Sequence, residues 1–153
     1  TQNVDNLHER AGSTKVLHLH GEIVKSRSTV APYKIYPIEG TALRLGDVCE
    51  KGAQLRPHIV WFGENLDPKN IDLANYFAYE CDFCVVVGTS MQVAPANQIP
   101  FMTKYNTLIY VVDPSNMDFY VDKQRRPFIQ HIQDVASTGM QRVKQELLEI
   151  INK

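Results

Sequence analysis

Two histidines, a run of small residues and one carboxylate carry most of the chemistry this chain can offer. His20 precedes Gly21 at the end of the β-prone run Val16–Leu19. Imidazole has an unperturbed pKa of about 6.5, so a histidine there can take a proton at neutral pH. His18 lies two positions earlier on the same strand face, and spacing does not choose between them. A satisfied or surface ring is the ordinary role for either. Gly88-Thr89-Ser90 follows an apolar run. Small residues at that point let backbone N–H groups and hydroxyls approach a ribose or a phosphate. A plain strand-to-loop turn has the same composition. Asp113 ends the next apolar run, before Pro114. A carboxylate there can accept from both hydroxyls of a ribose, and an Asp-Pro turn is the competing reading. Cys81 and Cys84 have CxxC spacing, as in zinc and redox sites. Cys81 falls on an apolar helix face and Cys84 within an apolar strand, so both are read as core.

The elements that must position these residues follow from pattern. Asp5 to Ala11 reads as a short helix stopped at Gly12. Residues 22–55 read as irregular, punctuated by Pro32, Pro37, Gly40, Gly46 and Gly52. His58 to Phe62 reads as a strand closed by Gly63. Asp67 and Pro68 then open a helix as N-cap and first helical residue. Ile71, Ala74, Phe77, Ala78 and Cys81 share one face of it. Phe83 to Val87 reads as a strand buried on both faces. A helix over Ala96 to Lys104, a strand over Leu108 to Val112, a polar connection, a weak strand over Phe128 to Ile132 and a last helix from Ser137 or Thr138 complete the chain. Met140, Val143, Leu147 and Ile150 or Ile151 give that helix its stripe. Alternating strands and helices predict a parallel α/β sheet, in which ligands bind at the carboxyl ends of strands.

Composition sets the limits. The chain has 153 residues, 44% hydrophobic and 22% charged, with a formal net charge of −1. That balance suits an ordinary soluble domain and shows no basic footprint for nucleic acid. No apolar run approaches the roughly 20 residues of a membrane span. Three cysteines do not suggest a disulfide framework, and a reducing cytoplasm is expected. The start at Thr1, without an initiator methionine, is read as that of a fragment.

Four segments then carry a resemblance. Thr1-Gln2-Asn3-Val4-Asp5-Asn6-Leu7-His8 resembles the sirtuin motif TQN-I-D-x-L-H. Leu19-His20-Gly21 looks like the family's HG. Arg56-Pro57-His58-Ile59-Val60-Trp61-Phe62-Gly63-Glu64 is similar to RPxVVxFGE, and Gly88-Thr89-Ser90-Met91-Gln92-Val93-Ala94-Pro95-Ala96 to GTSLxVxPA. All four stand in the family's order. The resemblance covers nearly the whole chain and is weakest over 22–53 and 114–134.

The resemblance implies an NAD-dependent protein-lysine deacylase, which moves an acyl group from lysine to ADP-ribose and releases nicotinamide. It implies that Gln2, Asn3 and Asp5 border the nicotinamide and its ribose, with Asn3 counted beside His20 as catalytic. His20, and not His18, matches the family's general base. Val60, Phe62 and Gly63 would line an acyl-lysine tunnel. Gly88, Thr89 and Ser90 would hold phosphate and ribose, Val93 would pack near the reacting centre, Asp113 would bind the adenosine ribose, and the Ala136 backbone would approach adenine. The implied fold is a Rossmann-like sheet flanked by helices, formed by 1–21 and 54–153. An irregular insertion over 22–53 would stand in place of the small zinc module. No metal is expected, because that interval holds only Cys49. The family's first strand and its GAGxSxxSGIPxFR cofactor loop are missing from this chain, which alone is expected to be inactive. The expected partner is an acylated lysine of a protein, with no direct nucleic acid, no membrane and a monomeric complete form. A sirtuin-like ADP-ribosyltransferase and a non-catalytic fold fragment are the alternatives.

Overall fold

The computed structural model describes residues 1–116 and 126–152. Residues 117–125, part of the polar connection read from sequence, lie outside the described residues. The chain forms two compact units, Thr1–Asp72 and Leu73–Lys153, and the division falls within a helix.

The first unit is built on an antiparallel sheet where the sequence predicts irregular chain. β1 (Gly21–Ser28) lies between β2 (Ile35–Pro37) and β3 (Leu55–Ile59). The residues of β1 that point inward explain why it is hard to read. Ser26 and Ser28 are each 1% exposed, so small polar residues fill positions where alternation predicts apolar ones. Ser28 is satisfied locally, its Oγ accepting the Val30 and Ala31 N–H groups at 3.2 and 3.3 Å. The prolines and glycines read as punctuation fall in or beside the turns that join these strands, apart from Pro37, which sits on the edge strand β2. An edge strand tolerates a proline.

β1 also carries a bulge. Between the pairs Glu22↔His58 and Ser26↔Pro57, four steps along β1 are matched by one along β3. The freed backbone bonds elsewhere: the Ile23 N–H donates to Val4 O at 2.7 Å and the Val24 carbonyl accepts from Ile38 at 3.1 Å. Pro57, which has no N–H to offer a ladder, sits where the pairing resumes.

Two other expectations shift. Val16–Leu19 forms no strand. Its backbone serves the amino-terminal segment, the Leu19 N–H donating to Thr1 O at 3.0 Å. β3 ends at Ile59 rather than Phe62, because a turn closes there: the Glu64 N–H bonds Trp61 O at 3.0 Å and Gly63 has φ +87°. The first helix, α1, spans only Leu7–Arg10.

The second unit follows the sequence more closely. α2 (Pro68–Glu80) begins as expected, the Asp67 side chain accepting the Lys69 N–H at 2.9 Å. Ala74 and Ala78 are its buried residues. β4 (Phe83–Val87), β5 (Leu108–Val112) and β6 (Ile129–Ile132) form a parallel sheet in that order. The strand buried on both faces is β5, not β4. β4 takes an outer place, and Val87 is 41% exposed. Between them Ala96–Met102 is a 3₁₀ segment containing Pro100, in place of a regular helix. α3 (Ala136–Ile151) starts one residue earlier than predicted. Val143 packs with Tyr110, Val112 and Ile132, joined by Met140 and Leu147. Gly139 permits this contact, since a Cβ there would lie 2.4 Å from Val112 Cγ1.

Candidate active site

Within the first unit the two histidines separate cleanly. His18 is tied on both ring nitrogens: Nε2 lies 2.8 Å from Glu9 Oε1 and Nδ1 3.3 Å from the Asn3 carbonyl. His20 is different. Its Nδ1 is buried and has no hydrogen-bond partner, a state shared among the described residues only by His58 Nδ1. Burial pushes the pKa of both rings down, so each is held neutral and able to accept a proton. A buried ring nitrogen left open is costly unless something satisfies it.

The backbone places His20 between the other candidates of this unit. Leu19 bonds Thr1, while the His20 carbonyl accepts the Val60 N–H at 2.9 Å. The Leu19-His20 pair therefore bonds Thr1 on one side, through Leu19, and Val60 on the other, through His20. Asp5 is spent locally, its Oδ1 accepting the Leu7 N–H at 3.0 Å. Gly21 makes the junction possible. Its φ is +81°, and a Cβ there would lie 2.0 Å from the His58 carbonyl oxygen.

The turn after β3 is held by an ion cluster that sequence reasoning assigned no role. Glu64 receives Arg27 Nη2 at 2.9 Å and Arg56 Nη2 at 3.2 Å, and its Oε2 also accepts the Trp61 N–H at 3.1 Å. Both arginines donate to the Ile59 carbonyl as well. The opposite charges of Arg56 and Glu64 flanking a glycine turn were the available signal. Arg56 above all holds the Glu64 carboxyl down, from the usual 4.5 to about 2. A carboxylate depressed on folding adds stability above its unfolded pKa, and that stability is lost as pH falls toward its folded pKa. The protein is therefore expected to lose stability between about pH 4.5 and 2 through this group. Glu64→Gln should remove that part of the pH dependence in urea midpoints taken across the range. Glu50, lowered to about 2 chiefly by Lys34, keeps its own share of the same window. An identical acid profile in the variant would show that the cluster contributes nothing.

In the second unit the parallel sheet sets three loops side by side. Val112 pairs with Val87 and with Ile132, so the chain leaves all three strands along one edge. Gly88 follows β4 with φ +63°, its N–H bonded to Val112 O at 2.9 Å. Open space lies where its Cβ would be. Thr89 is half-buried and Ser90 and Val93 are exposed. Asp113 follows β5 and is buried. Its Oδ1 accepts the Ser115 N–H at 2.9 Å, which lowers its pKa. Ala136, exposed, opens α3 after β6. Cys81 spends its thiol on the Ala78 carbonyl at 3.1 Å. Among the described residues no group of three or more His, Cys, Asp or Glu is placed to hold a metal, and no helix is long and apolar enough to cross a membrane.

A parallel α/β sheet flanked by helices, with small residues and a carboxylate along its carboxyl edge, places the second unit in the Rossmann-like class of folds. Comparison with known proteins narrows this. The Sir2 family model matches residues 1–95. The NAD-dependent protein deacylase of Bacteroides thetaiotaomicron is 38% identical over 97% of this chain and 63% of its own length. The crystal structure of a Sir2 homologue–NAD complex superposes with a TM-score of 0.74 at 32% identity, covering 99% of this chain and 56% of that one. A Sir2–p53 peptide–NAD+ structure gives 0.72 at 25% identity, over 96% of this chain and 62% of that one. The chain belongs to the Sir2 family. It spans a little under two thirds of the length of that deacylase.

Proposed function

We propose that the protein carrying this chain is an NAD-dependent protein-lysine deacylase. The observation that carries the reading is His20: a neutral ring with an open, buried nitrogen, bonded through its backbone to Val60 and next to Leu19, which bonds Thr1. The names of the relatives, and the NAD in two related structures, agree with it.

The residues fit such a cofactor. Gln2 and Asn3 offer amide groups able to satisfy a buried carboxamide, and Asp5 offers a carboxylate beside them. Gly88, Thr89 and Ser90 would take phosphate and ribose, Asp113 the adenosine ribose, and the Ala136 backbone the adenine. A bound NAD would supply the electrophilic anomeric carbon and nicotinamide as the leaving group. His20 would take the proton of a ribose hydroxyl, with Asn3 as its catalytic companion. Val60, Phe62 and Gly63 would accept the acyl-lysine, and Val93 would belong to the cofactor-binding set. An apolar channel suits a neutral acylated lysine and rejects a free ammonium, whose unpaired burial is costly. The backbone of the Val60 turn would pair with an extended substrate peptide. A cytoplasmic monomer acting on protein, with no direct role for nucleic acid or membrane, completes the reading.

Nicotinamide release is the test. The protein is incubated with NAD and an acetyl-lysine peptide, and with NAD alone. Release that requires the peptide, with deacylated peptide formed in equal amount, is the expected result. Transfer of label from NAD to a protein acceptor without deacylation would instead make it an ADP-ribosyltransferase and overturn the proposal.

A further inference from the structure

Met91 is the one non-glycine residue with left-handed backbone among the described residues, at φ 57°. It directly follows Gly88-Thr89-Ser90. Such a backbone is unfavourable for an L-residue and persists only where its surroundings hold it. Two side chains hold Met91. The Thr89 Oγ1 accepts the Met91 N–H at 3.2 Å, and the Asn97 Nδ2 donates to the Met91 carbonyl at 3.2 Å. Asn97 is itself fixed. Its backbone N–H donates to Val93 O at 3.0 Å, and its Oδ1 accepts from Gln98 Nε2 at 3.3 Å. With the oxygen facing Gln98, the amide nitrogen is left for Met91.

We infer that Asn97 is a positioning residue that holds the Gly88–Ser90 loop in its ligand-receiving shape by clamping the carbonyl of Met91. This deepens the reading of that loop as the phosphate and ribose subsite of NAD and rests on it. Thr89 has a matching consequence. Its oxygen accepts from Met91 with one lone pair, and its hydroxyl hydrogen stays able to donate to a ligand. A donor is what a phosphate oxygen requires.

The experiment measures ADP-ribose binding by calorimetry together with KM for NAD and for an acetyl-lysine peptide. Asn97→Ala should weaken ADP-ribose about tenfold, the effect of one lost hydrogen bond near 1.4 kcal/mol. KM for NAD should rise in step, while KM for the peptide at saturating NAD stays unchanged. Asn97→Asp, which keeps the oxygen and loses the donor, should behave the same way. Met91→Gly should rescue Asn97→Ala, since glycine adopts the left-handed backbone unaided. Unchanged ADP-ribose affinity in Asn97→Ala, or a loss that Met91→Gly fails to restore, would overturn the inference. An unsubstituted protein that binds no ADP-ribose would instead sink the NAD reading. Amide hydrogen exchange then decides the clamp separately: faster exchange at Met91 in Asn97→Ala supports it, and unchanged exchange refutes it.

Discussion

His20→Ala is expected to lower deacylation by a factor on the order of 10²–10⁴, the usual contribution of a positioned general base. The fold should survive, because the buried Nδ1 has no hydrogen-bond partner among the described residues and the contact to Val60 runs through the backbone carbonyl. His18→Ala should do the opposite. It removes the hydrogen bonds to Glu9 and the Asn3 carbonyl, both on exposed residues that water can satisfy, so it should lower stability only slightly and leave turnover per folded molecule largely intact. The sign of the pH effect is fixed as well. Burial lowers the His20 pKa below 6.5, so the base is lost only as pH falls through that lowered value. The acid limb of activity should accordingly lie below pH 6.5. Equal losses of turnover in the two variants would remove the assignment.

Gly21→Ala should be among the most destabilising single substitutions in the first unit, at about 3 kcal/mol or more. Two costs combine. The left-handed φ of +81° strains any L-residue, by roughly 1–2 kcal/mol. The added Cβ would also lie 2.0 Å from the His58 carbonyl oxygen and 2.9 Å from its carbon. Those are backbone atoms, so no side-chain rotation relieves the contact, and β1 and β3 must part at the pair Gly21↔Ile59. Gly63→Ala is the control, with φ +87° and open space around its Cβ. It should cost only the backbone strain. Urea midpoints of the two variants measure the difference. If they coincide, the close approach at Gly21 has no energetic consequence.

The second unit was largely legible. Leu108–Val112 is a short apolar run bounded by polar turns, and it became β5 without revision. Asp67 and Pro68 are a local signal whose physics needs no partner, and α2 begins there. What failed was the assignment of burial among strands: β4 and β5 are equally apolar in sequence, and only pairing order makes one central. The antiparallel sheet was not legible because its inward positions break alternation. Gly21 and Ser26 are both buried although they lie an odd number of positions apart, which plain alternation would put on opposite faces. The site was split along the same line. Its single residues could be singled out by type, but spacing left His18 and His20 open, and only the resemblance chose His20. The grip of Arg27 and Arg56 on Glu64, and of Asn97 on Met91, joins residues whose pairing has no local signature.

The bulge in β1 acts as a phase shifter. Three surplus residues are an odd number, so the strand resumes its ladder with its faces exchanged. This is why Gly21 can meet the His58 carbonyl while Ser26 and Ser28 stay inside. The quantity under constraint at 23–25 is thus a count rather than a chemistry. Shortening the segment by one residue would restore even spacing and turn one end of the strand over. Either the serines would face solvent, or the histidine junction would lose its seat. Ile23 and Val24 are exposed, so at these two positions the count of residues weighs more than the side chains.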